Sequence, residues 1–218
     1  MNSDLTLPAT AAEALGVDAS DAKIPRYIGV ASEAIRRYLD RPQLHYSAAV
    51  VERLAGYVGQ VRLRLGVLPV LTVASVVLPD GTSLTGTEYA LEDSESGALY
   101  RSVGWPYTGL VRSGLLYDAP AVGTEGRTIV ATYAGGWVTP AQASVVLPRT
   151  LPFDLEDACV QTVKALYRRP DDPNITAESL GDYSVSYRSN NTIIGVGVGG
   201  LIPDTVIAQL QLYRRLIS

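Results

Sequence analysis

Leu151–Arg169, LPFDLEDACVQTVKALYRR, is the clearest helix in the chain, and its reading decides the fold. Leu155, Ala158, Cys159, Thr162, Val163 and Leu166 recur at spacings of three and four, which places them on one stripe. Glu156, Asp157, Gln161, Lys164 and Arg168 fall on the other side. Acids lead and bases trail, as the helix dipole favours. Pro152 stands near the start and Pro170 at the end, where proline is tolerated and where it stops a helix.

Two further amphipathic helices flank this one at a distance. Ile24, Ile28, Ala31, Ile35 and Leu39 recur at helical spacing, with Pro25 in the first turn and Arg41-Pro42 at the end. Leu7–Gly16 predicts a short helix ahead of it, with Pro8 early and Gly16 as the stop. Pro203–Ile217 closes the chain with a narrow stripe of Val206, Leu210, Tyr213 and Ile217.

Between the first helices and Leu151 the period changes to two. Gln60, Arg62 and Arg64 alternate with Val61, Leu63 and Leu65, the pattern of a half-buried strand. Thr72–Leu78 runs into Pro79-Asp80-Gly81, a strand and then a turn. Glu88–Leu91, Ala98–Arg101 and Leu110–Tyr117 are short strand candidates, and Arg127–Tyr133 alternates up to Gly135-Gly136. Tyr183, Val185 and Tyr187 alternate in an extended arm after the Leu151 helix. The predicted fold class is α+β: a small helical bundle core with an inserted antiparallel β module and a C-terminal helix. Residues 1–42 and 149–218 form the helical core, and 43–148 the insert.

Composition excludes several functions. With 218 residues, 47% hydrophobic and 18% charged, the chain has enough material for a core that folds without staples. A net charge of −4 argues against binding nucleic acid through its phosphates. The single cysteine, Cys159, allows no internal disulfide, which fits a reducing compartment. No signal peptide and no membrane-length apolar run is visible. Thirteen tyrosines stand against one phenylalanine, and only Lys23 and Lys164 of 18 basic residues are lysine. Tyrosine and arginine suit interfaces, and tyrosine equally suits half-exposed strands.

The catalytic inventory is empty. His45 is the single histidine and has no cysteine near it in sequence, so the usual zinc sets and a serine triad lack members. Cys159 sits on an apolar helical face and reads as packing. Glu92, Asp93 and Glu95 lack the register of a calcium loop. Gly195-Val196-Gly197-Val198-Gly199-Gly200 matches G-x-G-x-x-G, yet only 18 residues follow, too few for the rest of a dinucleotide fold. No cofactor or metal is expected, and the chain is not expected to be an enzyme.

The order of segments resembles the head-to-tail connector (adaptor) proteins of tailed bacteriophages, in the form with a β insertion between helices. Ala31, Ile35, Tyr38, Arg41 and Pro42 supply an A-x-x-x-I-x-x-Y-x-x-R-P ending of the second helix. Asp80-Gly81, Tyr89, Gly97–Trp105 (GALYRSVGW) and Tyr133–Trp137 (YAGGW) match pieces of the insertion. Leu151–Leu155 matches L-P-x-D-L. Glu178, Gly181, Asp182, Tyr183, Ser184, Val185 and Tyr187 match the arm, and Leu210, Tyr213, Arg214 and Arg215 match a closing L-x-x-Y-R-R. The glycine stretch 195–200 has no counterpart in that pattern.

The resemblance implies a structural virion protein of the neck, made in the host cytoplasm. It would form a twelve-fold homo-oligomeric ring beneath the portal protein and join capsid to tail or to a further neck protein. DNA would pass through the lumen without sequence-specific binding, and no membrane is involved. The expected partner-binding residues are Asp182, Tyr183, Val185 and Tyr187 on the arm, which would add a strand to a neighbour. Leu210, Tyr213, Arg214, Arg215 and Ile217 on the last helix would dock on the portal. Two alternatives stand beside this reading. One is another neck or tail-completion ring. The other is a carbohydrate-binding β module in which Tyr89, Tyr100, Trp105, Tyr107 and Trp137 form a platform for sugar rings.

Overall fold

The computed structural model describes residues 4–57, 59–108, 128–168, 177–180, 183–186 and 201–214. The chain divides into two compact units, Met1–Arg41 with Val138–Ser218, and Pro42–Trp137. The architecture is α+β: among the described residues the helices and a two-stranded hairpin belong to the first unit, and two antiparallel sheets to the second.

In the first unit α1 (Pro8–Leu15) and α2 (Lys23–Tyr38) precede α3 (Phe153–Tyr167), and α4 (Asp204–Leu210) follows it. Helix α1 begins on proline and ends at Gly16, whose φ of 72° lets the Val17 amide reach back to the Ala12 carbonyl at 3.1 Å. Helix α2 starts where Asp21 accepts from the Lys23 amide at 2.8 Å, and Asp40 turns left-handed beyond its end. Helix α3 packs against each of the other three helices. Its stripe Leu155, Ala158, Cys159, Thr162, Val163 and Leu166 is buried throughout. Ile24, Ile28, Ala31 and Ile35 of α2 and Val206 and Leu210 of α4 are buried in the same unit.

One residue of α3 departs from its expected side. Glu156 is 9% exposed, although the sequence places it with the polar residues. Its carboxylate is occupied on both oxygens: Thr6 Oγ1 donates to Oε1 at 3.0 Å, and Arg149 lies 2.6 Å from Oε2. A buried acid is tolerable because it is paired and hydrogen-bonded.

The second unit holds a four-stranded sheet in the order β1 (Ser47–Leu54), β7 (Ile129–Gly135), β3 (Val70–Val77), β4 (Ser83–Leu84). A three-stranded sheet has the order β2 (Arg62–Arg64), β6 (Ala98–Tyr100), β5 (Ala90–Asp93). Ile129, Ala131 and Tyr133 alternate inward on the central strand β7. They share one core with Leu63 and Leu99 of the smaller sheet and Val76 of β3. The unit is closed where the chain enters and leaves it. The Trp137 amide donates to the Leu44 carbonyl, and the Tyr46 amide to that of Trp137, each at 2.8 Å. Gly136 sits at this closure with φ of 93°, and a side chain there would strike the His45 carbonyl.

Three expectations need adjusting. The β unit ends at Trp137, not at Pro148. The Val138 amide donates to Thr150 Oγ1 at 2.8 Å, and the Thr150 and Leu151 amides return to the Val138 carbonyl, so 138–151 closes on itself ahead of α3. Strand β1 had no alternating signal in the sequence. Among the described residues the C-terminal helix is regular over Asp204–Leu210 and passes into a 3-10 turn, Gln211–Tyr213. The strand candidate Leu110–Tyr117 and the glycine stretch 195–200 lie outside the described residues.

Candidate functional site

Segments far apart in sequence meet where α2 ends, α3 begins and α4 runs out. Arg41 is 8% exposed, and its NH2 donates to the Tyr213 carbonyl at 3.1 Å. Arg36 NH1 donates to the Arg41 carbonyl at 2.9 Å, fixing the turn after α2. The Tyr213 hydroxyl donates to Asp154 Oδ2 at 2.6 Å, and Gln209 Nε2 to the Asp154 carbonyl at 2.7 Å. The Arg214 guanidinium lies 5.6 Å from the centre of the Tyr38 ring, within cation–π range. Tyr38 and Arg41 belong to one sequence motif, and Tyr213 and Arg214 to another 172 residues away, as the Arg41–Tyr213 separation counts it.

Charge reinforces this corner. Glu33 sits one turn before Arg36 and Arg37 and accepts from both, at 2.7 and 2.8 Å. The hydrogen bond from Arg36 holds the Glu33 carboxyl down to about 2. Both arginines lie in the last turn of α2, where cations also suit the helix dipole.

Of the expected partner-binding residues, Leu210 is fully buried in the chain's own helical unit. A partner groove could therefore reach it only by displacing α4. Tyr213 and Arg214 occupy the corner just described. Tyr183 and Val185 lie on β9 (Tyr183–Ser186), which pairs antiparallel with β8 (Ala177–Leu180) in the register Glu178 opposite Val185 and Leu180 opposite Tyr183. Asp182, Tyr187, Arg215 and Ile217 lie outside the described residues.

Replacing Tyr213 with phenylalanine is expected to loosen α4 by about 1 kcal/mol, the net worth of a typical hydrogen bond, since solvent at this part-exposed site weakens the carboxylate's extra pull. Hydrogen exchange over 204–213 should quicken several-fold while α3 is unaffected. Unchanged exchange would show that the bond to Asp154 does not hold the helix.

The groups with chemical potential are engaged in packing. Cys159 is fully buried, and burial pushes its thiol up to about 12, so the nucleophilic thiolate is suppressed. Its Sγ lies 3.6 Å from Ser32 Oγ, which also accepts from the Leu5 amide. Burial lowers the His45 pKa. Among the described residues no cluster of three histidine, cysteine or acidic side chains is placed to hold a metal. No described helix is long and apolar enough to cross a membrane. The proposed sugar platform is not assembled: Trp105 and Trp137 are 4% and 5% exposed. Trp105 lies in the β core, and its Nε1 donates to the Val61 carbonyl at 3.1 Å.

Several apolar side chains are far more exposed than their composition suggests. Val145 and Val146 are 102% and 93% exposed, and Phe153 and Leu212 stand out at 78% and 86%. An apolar run such as ASVVLP reads as core from sequence. The signal available was its position between Pro140 and Pro148, with no helical or strand period.

No family model and no curated protein matches this sequence. Solved structures do match, over nearly the whole length. A chain in the neck of the native gene transfer agent (GTA) particle, computed with C12 symmetry, is aligned over 97% of this chain and 90% of its own. Its identity is 18% and its TM-score 0.52. A chain in the neck of the empty GTA particle, computed with C6 symmetry, covers 98% and 91%, at 16% identity and a TM-score of 0.56. A chain of the native GTA virion covers 98% and 91%, at 18% identity and 0.54. The fold is thus that of a chain found in the neck of a gene transfer agent particle.

Proposed function

We propose that this chain is a structural protein of the neck of a phage-like particle. Copies form a ring beneath the portal, join the capsid to the tail and surround the path of the DNA. The observation that carries the proposal is the likeness of the entire two-unit fold to chains in symmetric neck assemblies. The ordered motifs in the sequence, from Arg41-Pro42 to Tyr213-Arg214, point the same way independently. A net charge of −4 suits a lumen through which DNA slides without being held.

In this reading the helical unit is the connector core and the β unit an insertion. The β8–β9 hairpin, with Asp182, Tyr183, Val185 and Tyr187, offers a strand to a neighbour. The end of the chain, with Arg214, Arg215 and Ile217, faces the portal, and Leu210 and Tyr213 act by holding that end in place. Imaging of particles from the source, with and without the gene, tests the proposal. The expected result is a ring of density between portal and tail that fits this fold, and full heads without tails when the gene is deleted. Tailed, infectious particles lacking the chain would overturn it.

A further inference from the structure

The loop between Trp137 and α3 is built to hold two valines out in solvent. Its base is closed by the bonds between Val138 and Thr150 described above. Inside it, the Gln142 and Ala143 amides both donate to the Thr139 carbonyl at 3.0 Å. At its tip the Ser144 amide donates to the Leu147 carbonyl at 2.8 Å, and the Leu147 amide to Ser144 Oγ at 3.1 Å. Val145 and Val146 fill the centre of that bend. Bends favour glycine, proline, asparagine and aspartate, because these supply the backbone geometry or bond to it locally. Two β-branched, fully exposed side chains provide neither, and burial within the chain does not account for them. The backbone is already fixed, so little ordering entropy remains to be lost when the tip is covered.

We infer that the Val145–Val146 tip docks into an apolar hollow on a second copy of this chain. The inference rests on the neck-ring reading and assigns a surface to it. Two features select a second copy as occupant. No residue from Val138 to Pro148 is charged, and copies that each carry −4 associate best through a contact free of charge. The tip also stands out in solvent, as a knob suited to a hollow more than to a second knob. Entering a different surface on the next copy makes the contact head-to-tail, the kind that generates a ring where its rotation closes. Chains of the same fold stand in assemblies of C12 and C6 symmetry.

The test pairs a double substitution with a cross-link. Val145→Asp with Val146→Asp changes only exposed side chains, so circular dichroism and Tm should match the parent. Self-association followed by sedimentation should weaken by about a hundredfold, roughly tenfold for each buried valine lost. A photo-reactive residue at Val146 should join one copy to another in a mixture of heavy- and light-isotope protein, and likewise within particles. The inference is overturned if the double variant assembles like the parent, or if the cross-link in particles joins Val146 only to a different protein. It also fails if the parent stays monomeric at every concentration and particles yield no chain-to-chain adduct. The neck-ring reading fails separately, if imaging finds no copy of the chain between capsid and tail.

Discussion

Val163→Asp is expected to unfold the helical unit. Val163 is fully buried on α3, the helix that packs against α1, α2 and α4. Losing the valine removes about 1.5–3 kcal/mol of apolar burial. The new carboxyl adds a cost of at least about 2 kcal/mol, because it enters that site without a designed partner. The neighbouring Thr162 hydroxyl is already committed to the Ala158 carbonyl at 2.8 Å. Together these approach the whole stability of an ordinary domain, about 5–15 kcal/mol. Loss of the 222 nm helical signal at room temperature, or a Tm lower by more than ten degrees, is the expected reading. Gln161→Ala, on the outer side of the same helix, should stay within about 0.5 kcal/mol of the parent. If Val163→Asp melts with the parent, α3 is not the centre of the unit.

The helix α3 was legible because a 3.6-residue period survives whatever packs on it. The six residues of its stripe are all buried. Glu156 was misplaced for the opposite reason: its burial depends on Thr6 and Arg149, which no local period encodes. Strands β2 and β7 alternate because one face of each meets the shared core. Strand β1, SAAVVERL, does not alternate in polarity, since Glu52 turns inward among residues that would normally be apolar. The corner joining Tyr38, Arg41, Asp154 and Tyr213 was present in the sequence only as separate motifs. Their meeting is a product of chain reversal over more than a hundred residues. The Val145–Val146 tip was hidden because hydrophobicity reports what could be buried, and a surface meant for a partner shares that composition.

Glu52 carries the second large effect, and it concerns the β unit. Its Oε2 accepts from the Tyr133 hydroxyl at 2.7 Å and from the Gly66 amide at 2.8 Å. The Tyr133 oxygen in turn accepts from the Val67 amide at 2.9 Å. One carboxylate on β1 thus fixes the central strand β7 and the turn that follows β2. A Cβ added at Gly66 would lie 2.8 Å from Glu52 Oε1, so a side chain there would push the carboxylate aside. Burial, helped by the bond to Glu52, raises the Tyr133 pKa, so the phenol remains the donor in this network. Glu52→Ala leaves the buried Tyr133 hydroxyl and the Gly66 amide without this acceptor, at about 1–3 kcal/mol each, or about 3 kcal/mol in total. Glu52→Gln keeps an acceptor oxygen in the same place and should cost only about 1 kcal/mol. Tyr133→Phe removes the other half of the pair, and the double variant should show a coupling of at least about 1 kcal/mol in a denaturation cycle. Tryptophan emission reads this unit directly, since Trp105 and Trp137 both lie in it. Strict additivity of the two substitutions, with Glu52→Ala within about 0.5 kcal/mol of the parent, would mean that water satisfies these groups and that the sheet is held by its apolar face alone.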